Sequence, residues 1–203
     1  MFRRFVFLFA ATLFFCVCAF ALRVAGEQRA LASRLIRLHV VGASDGPADQ
    51  ARKLAVRDAL LPRIAELTAG CVDADDAEAA LRRGLPLLRR TAALALGTGE
   101  PVTAGLAEET FPRRDYDCFS LPAGTYRALR VTLGAGEGHN WWCVAFPALC
   151  LPAAEPEAAA AAFGEAAVAA GLSEGEIDLM RADTENVRFK FRILDWISFL
   201  FTD

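Results

Sequence analysis

An uncharged apolar run, Phe5–Leu22, constrains this chain more than any other feature. Two arginines precede it, and Ala19-Phe20-Ala21 has the small-x-small form of a signal-peptide cleavage site. The run is also just long enough to cross a bilayer as a helix. We therefore expect residues 1–25 to be a signal peptide or a membrane anchor. The positive-inside rule then places residues 26–203 outside the cytoplasm.

The charge balance of the exported part argues against a nucleic-acid partner. Without the two N-terminal arginines, 20 basic residues stand against 25 acidic ones. Proteins that bind nucleic acid or anionic lipid through their surface carry the opposite excess. We therefore expect no nucleic-acid partner, and contact with a membrane only through the N-terminal segment.

The exported part contains four cysteines, and an even number outside the cytoplasm favours disulfides. They are Cys71, Cys118, Cys143 and Cys150. Three pairings are open; proximity favours Cys143–Cys150, which leaves Cys71–Cys118 as the second bridge. Zinc is the alternative, with His39 and His139 as further ligands, but the chain has no C-x-x-C pair. We expect no metal and no cofactor.

The first half of the exported part alternates between strand and helix patterns. Leu35–Ala43 has the period-two alternation of a strand. Pro47 starts a helix at its first position. Asp73 is a good N-cap for a second helix, and Gly97 ends it. The class predicted for residues 26–203 is α+β, with a mixed or antiparallel sheet covered by helices.

The second half is predicted to add strands and one alanine-rich helix. A weak strand covers Val102–Glu108. Two further strands, Cys118–Leu121 and Tyr126–Leu133, flank a Pro-Ala-Gly turn and are predicted to form a hairpin. Ala153–Ala170 is predicted to be a covering helix or spacer because alanine is the best helix former. Val187–Ile193 alternates strictly and predicts an edge strand, followed by an apolar tail.

One stretch in the second half, Gly134–Leu151, has an unusual composition: G-A-G-E-G-H-N-W-W-C-V-A-F-P-A-L-C-L. Regular secondary structure does not need this mixture, so we interpret it as a loop made rigid by the Cys143–Cys150 bridge. Adjacent residues of an extended segment point opposite ways. One of the two tryptophans is then expected to be buried and the other to be an exposed aromatic anchor. The candidate partner-binding residues are His139, Asn140, Trp141 and Trp142.

No motif of covalent or metal catalysis is present in the sequence. Gly134–Gly138 is similar to a glycine-rich phosphate loop, but no capped helix follows it. His139 precedes Cys143 by four residues and suggests a Cys/His nucleophile pair. The simpler interpretation is that His139 lies at a loop tip and Cys143 is oxidised. His39 is interpreted as a half-buried structural residue, so no catalytic residue is predicted and the chain is not expected to be an enzyme.

Two blocks of sequence carry a resemblance to a known family. The first is R-L-H-V-V-G-A-S-D-G-P-A-D-Q (Arg37–Gln50) with L-A-V-R-D-A-L-L-P after it. The second runs from Leu121 to Cys150 and contains H-N-W-W-C-V-A-F-P-A-L-C; a looser match covers Val187–Trp196. Together they resemble the stage II sporulation protein R family of endospore-forming Firmicutes. The alanine-rich segment, Gly42-Ala43, and the extra Cys71 and Cys118 depart from the family pattern.

The resemblance implies a signalling role. Members of the family are made in the forespore and exported across its membrane. There they trigger a membrane-embedded protease of the mother cell, the sigma-E processing peptidase, which removes the pro-sequence of the sporulation sigma factor. This chain would then be secreted between the two membranes or tethered to the forespore membrane. The alternatives are a secreted Cys/His hydrolase and a structural module associated with the cell wall.

Overall fold

The computed structural model describes residues 2–116, 118–149 and 156–181 and is mixed α+β, which confirms the predicted class. The helices are α1 (Phe2–Arg34), α2 (Pro47–Thr68), α3 (Ala74–Leu96), α4 (Pro156–Ala169) and α5 (Glu174–Arg181). The strands are β1 (Ile36–Val41), β2 (Val102–Phe111), β3 (Arg114–Asp115), β4 (Ser120–Leu121), β5 (Gly124–Leu133) and β6 (Asn140–Phe146).

The main sheet has four strands in the order β2-β5-β1-β6. The central pair, β1 and β5, is parallel, with Leu38 opposite Leu129. The β6 strand lies antiparallel to β1 on one side, and β2 lies antiparallel to β5 on the other. The β3 and β4 strands form a separate two-stranded hairpin. The sheet is therefore mixed, as the sequence predicts.

The helices α2 and α3 cover one face of the sheet. Their apolar stripes bury Val56, Leu60 and Leu88 in the same core as the even-numbered residues of β1.

The helix α3 has Asp73 as its N-cap. The carboxylate of Asp73 accepts hydrogen bonds from the amides of Asp75 and Asp76, at 2.9 Å each. The helix ends at Gly97, which has φ +68°. Both predicted ends of this helix are confirmed, and for the predicted reasons.

The opposite face of the sheet is covered by the β3–β4 hairpin and α4. Tyr116 stacks on Phe119 with a centroid distance of 4.5 Å, and Phe119 stacks on Phe163 at 5.0 Å. Because this second layer exists, all six residues of β1 are buried, including Arg37 and His39. The alternating residues of β1 therefore point to two faces that are both covered, and neither face is exposed to solvent.

The apolar helix α1 continues without a break into the folded domain. Its first part exposes large apolar side chains, and it is long and apolar enough to cross a membrane. At its other end Leu31 is fully buried, and the side-chain amide of Gln28 donates to the carbonyl of Ala123 at 2.6 Å. Arg34 pairs with Glu176 at 3.3 Å. The segment after the apolar run is therefore a helix that is docked onto the domain.

Two strand predictions are corrected. The β4 strand pairs with β3 and not with β5, so the Pro-Ala-Gly turn joins two different sheets instead of closing a hairpin. The segment Asn140–Phe146 is a strand and not a loop, because its backbone pairs along the whole of β1, with one register shift between Ile36 and Arg37. Val187–Ile193 and the apolar tail after it lie outside the described residues.

The predicted Cys71–Cys118 bridge is also wrong, since Cys71 carries a free thiol. Cys71 follows α2, in the layer on one face of the sheet, whereas Cys118 lies in the β3–β4 hairpin, in the layer on the other face. The pairing followed only from an even cysteine count, which does not bring two thiols within bonding distance. Burial raises the pKa of the Cys71 thiol, which makes its reactive thiolate scarcer.

Candidate functional site

The glycine-rich loop between β5 and β6 is held against the loop after β1 by backbone hydrogen bonds. The amide of Gly138 donates to Gly42 at 2.9 Å, and that of Glu137 donates to Ala43 at 3.2 Å. The amides of Gly134 and Gly136 also bond to carbonyls of the protein. Since these N–H groups are already used internally, the loop does not present the free amides that a phosphate site requires.

Lys53 of α2 fixes the end of this loop. It is 5% exposed, and its ammonium donates to the carbonyl of His139 at 2.8 Å and to the side chain of Gln50 at 2.6 Å. Burial lowers the pKa of Lys53. A buried ammonium that bonds to a main-chain carbonyl holds the backbone in place. The start of β6 is therefore positioned by the sheet on one side and by α2 on the other.

Asp45 makes this attachment dependent on pH. Its Oδ1 accepts a hydrogen bond from the amide of His139 at 2.6 Å and also contacts the imidazole of His139. The amide first, and then the imidazole, hold the pKa of Asp45 below its usual value of 3.8. Because the folded pKa is the lower one, the stabilisation is complete above the unfolded pKa and is lost as the pH falls through the folded pKa.

We expect the amide resonance of His139 to titrate with a midpoint below 3.8 as Asp45 is protonated. The measurement is its chemical shift and hydrogen-exchange rate between neutral pH and acid. Asp45→Asn is the matched control, and it should abolish the titration while leaving the amides of α3 unchanged. A midpoint at or above the ordinary aspartate value would contradict the assignment.

The two tryptophans of β6 lie on opposite faces of the sheet, as the strand geometry requires. Trp141 faces α2, where the guanidinium of Arg57 lies 5.1 Å from the ring centroid. Trp142 faces the β3–β4 hairpin, with the guanidinium of Arg114 at 3.8 Å from its ring centroid. Both tryptophans are half-buried. The expectation that one is buried and the other exposed is therefore corrected, because each is partly covered by an arginine.

Arg37 is the largest polar side chain of the core and is fully buried. Its Nε donates to the carbonyl of Cys143 at 3.0 Å, and its Nη2 donates to the hydroxyl of Tyr116 at 2.8 Å. The guanidinium also lies 4.4 Å from the ring centroid of Phe111 and 5.1 Å from that of Tyr126. Burial is the main cause that lowers the pKa of Arg37. A polar centre thus lies under the strand that carries the tryptophans.

His39 is buried beside that centre, as a structural histidine would be. Its Nδ1 is 2.7 Å from Glu109, whose second oxygen is 3.4 Å from Arg130. The imidazole stacks on Trp142 with a centroid distance of 5.8 Å. With its ring packed and one nitrogen bonded to a carboxylate, His39 supports the position of Trp142 from below.

An open groove joins the predicted partner-binding residues to the β3–β4 hairpin. It is lined by Arg114, Asp115, Tyr116, His139, Asn140, Trp141 and Trp142. The structure therefore brings the four predicted residues to one place and adds three that the sequence analysis missed. A strand of only two residues carries no pattern from which these three residues could be predicted.

The structure does not assemble a Cys/His nucleophile pair. Cys143 is disulfide-bonded and 3% exposed. Its predicted partner, Cys150, lies outside the described residues. A sulfur in a disulfide cannot act as a thiolate nucleophile, and the imidazole of His139 is engaged with Asp45. No group of three or more potential metal ligands occurs among residues 2–116, 118–149 and 156–181.

The sequence profile described as Stage II sporulation protein R matches residues 32–155. The Stage II sporulation protein R of Bacillus subtilis (strain 168) is 34% identical over 118 residues, which cover 57% of this chain and 53% of that protein. The match thus spans about half the length of the relative. No solved structure matches the chain. The profile begins at the end of α1 and includes the whole sheet and the groove, so the chain belongs to the stage II sporulation protein R family.

Proposed function

We propose that this chain is an exported signalling protein of sporulation that activates the membrane-embedded sigma-E processing peptidase of the mother cell. The observation that carries the proposal is the family match over residues 32–155. A role in sporulation follows from the family. The more specific step, activation of the protease, is our inference from what the resemblance implies. In this proposal the chain is a ligand of the protease and not itself an enzyme.

The N-terminal helix supports export, either as a signal or as an anchor. The apolar part of α1 is exposed, while its last turn is packed on the domain through Gln28 and Leu31. Cleavage after Ala21 would remove the apolar part of α1 and leave its last turns, so Gln28 and Leu31 would stay packed on the domain in the cleaved and in the uncleaved form. If the helix is retained, it tethers the domain to the membrane.

We propose that the receptor docks on the groove formed by His139–Trp142 and the β3–β4 hairpin. The backbone on one side of the groove is held by Lys53, Asp45 and the pairing with β1. We further propose that Cys143 is bridged to Cys150. A rigid surface loses little conformational entropy on binding. A ligand activates a protease by binding its active state more tightly, and a tenfold preference needs only about 1.4 kcal/mol.

The test is co-expression of the full chain with the protease and its pro-sigma substrate in cells that lack all three. We expect cleavage of the pro-sigma factor only when the chain is present. A chain that is exported at normal levels but does not increase cleavage would contradict the proposal.

In the same assay, Trp142→Ala is expected to reduce cleavage at least tenfold, because Trp142 lines the groove and packs under Arg114. Leu94→Ala is the control, since Leu94 is 74% exposed on α3, on the other side of the sheet. Thermal unfolding of both purified variants separates docking from folding. If Trp142→Ala lowers stability and cleavage in proportion, the tryptophan is structural, as in the alternative of a cell-wall module.

A further inference from the structure

Three buried side-chain polar atoms lack a hydrogen-bond partner in the described part of the chain, and they belong to Arg37, His39 and Arg114. All three side chains surround Trp142 and Tyr116: Arg37 bonds to Tyr116, His39 stacks on Trp142, and Arg114 covers Trp142. Buried polar groups are almost always satisfied, so unsatisfied ones need an explanation. Their concentration at one place makes it the candidate binding site in the described part of the chain.

The unsatisfied atoms of the two arginines are obligatory donors. The Nη1 of Arg37 and the Nε of Arg114 both carry N–H groups and cannot accept a hydrogen bond. His39 donates to Glu109 through Nδ1, and its free Nε2 donates as well when the imidazole is charged. Of these residues, Arg114 lines the groove, so the described part of the groove contains one buried N–H donor, the Nε of Arg114, without an acceptor.

The charges around the groove also favour an anionic ligand. No carboxylate within residues 2–116, 118–149 or 156–181 forms an ion pair with Arg37 or Arg114. The nearby carboxylates are engaged elsewhere, Asp115 with Arg113 at 2.9 Å and Glu109 with His39. After burial, the charge of Arg114 is a further cause that lowers the pKa of Arg37. Within the described residues, neither guanidinium therefore has a carboxylate partner.

We propose that the groove binds a carboxylate side chain, aspartate or glutamate, of the protein on which this domain docks, with Arg114 as its principal ligand. Arginine binds carboxylates through paired N–H donors, and its hydrogen bonds to a carboxylate are stronger than those to neutral groups. The aromatic walls of Trp142 and Tyr116 suit the methylene stem of such a side chain. This inference rests on the proposed docking surface and names the chemistry that the surface recognises.

The first test uses pro-sigma cleavage by the full chain and the protease, as above. Arg114→Gln removes the charge and is expected to reduce cleavage at least tenfold, while Arg114→Lys, which keeps the charge, is expected to retain a measurable part of it. The control is Arg90→Gln, because Arg90 is exposed on α3, in the layer on the other face of the sheet. We expect it to stay within about twofold of the parent. Full activity of Arg114→Gln would overturn the carboxylate site.

The second test does not depend on the protease. The Nε–H resonance of Arg114, assigned by its loss in Arg114→Lys, is followed in the full chain in detergent micelles. Glutarate should shift it saturably, and neutral glutaramide should not. No shift with glutarate, or an equal shift with inorganic phosphate, would overturn the assignment to an acidic side chain. If the parent chain fails to trigger cleavage but glutarate still binds, the proposed function fails and the carboxylate site stands.

Discussion

The Gly138→Ala variant is expected to lose about 3 kcal/mol of unfolding free energy, because the added methyl group has no room. A Cβ at this position would lie 2.6 Å from the carbonyl carbon of Ser44 and 3.0 Å from the carbonyl oxygen of Gly42. Both atoms are main chain, so no side-chain rotation relieves the contact. The glycine-rich loop must move away from the loop after β1, and the hydrogen bonds of Gly138 and His139 are lost with this movement.

Urea unfolding of the purified chain measures this effect, and Gly105→Ala is the matched control. Gly105 lies in β2, and a Cβ there meets no atom within 4 Å. That change should leave stability within about 0.5 kcal/mol, or raise it slightly, because glycine costs strand backbone entropy. Similar midpoints for the two variants would show that the loop is not held as closely as the backbone distances indicate. Pro-sigma cleavage should fall with Gly138→Ala, since the start of β6 is displaced.

The elements that the sequence predicts well are those specified by local chemistry. Asp73 and Gly97 mark the ends of α3 because a cap and a left-handed glycine act within one turn. The strand at β1 follows from its alternation of β-branched and other residues. The apolar helix follows from composition alone. In each case the deciding interaction lies within a few residues, so one sequence contains it.

The elements that the sequence mispredicts are specified by distant parts of the chain. The β1–β5 pairing joins Leu38 to Leu129, and no local signal indicates that these two strands are parallel neighbours. The Pro-Ala-Gly turn is a good hairpin signal, but pairing with β1 and β2 competes for β5 and prevails. The tryptophan segment is a strand for the same reason, since β1 provides its hydrogen-bond partners.

The candidate site was predicted in part for a related reason. His139, Asn140, Trp141 and Trp142 are adjacent in sequence, and an unusual composition marks them. Arg114 reaches the same groove from a two-residue strand whose sequence is unremarkable. Arg37 lies on the second face of β1, and no residue near it in sequence indicates that this face is covered. Its role depends on the hairpin and α4, which the pattern of β1 does not reveal.

Arg37→Ala is expected to destabilise the domain by about 3–4 kcal/mol. The change opens a cavity between the rings of Phe111 and Tyr126 and leaves the carbonyl of Cys143 and the hydroxyl of Tyr116 without their donor. The substitution also removes the free-energy cost of burying the charge, and this effect raises stability. We expect the loss to dominate, because the guanidinium is stabilised by two hydrogen bonds and by the faces of aromatic rings.

Arg37→Met separates these contributions, since it keeps most of the apolar volume and removes the charge and both donors. Its stability should lie about 1–2 kcal/mol above that of Arg37→Ala, because methionine fills part of the cavity. Arg52→Ala is the surface control; its salt bridge with Asp49 is partly exposed and should contribute less than about 0.5 kcal/mol. The urea unfolding midpoints of the three variants measure these differences in stability. If Arg37→Met is more stable than the parent chain, the cost of burying the charge exceeds the stabilisation from its contacts, which would contradict the expectation.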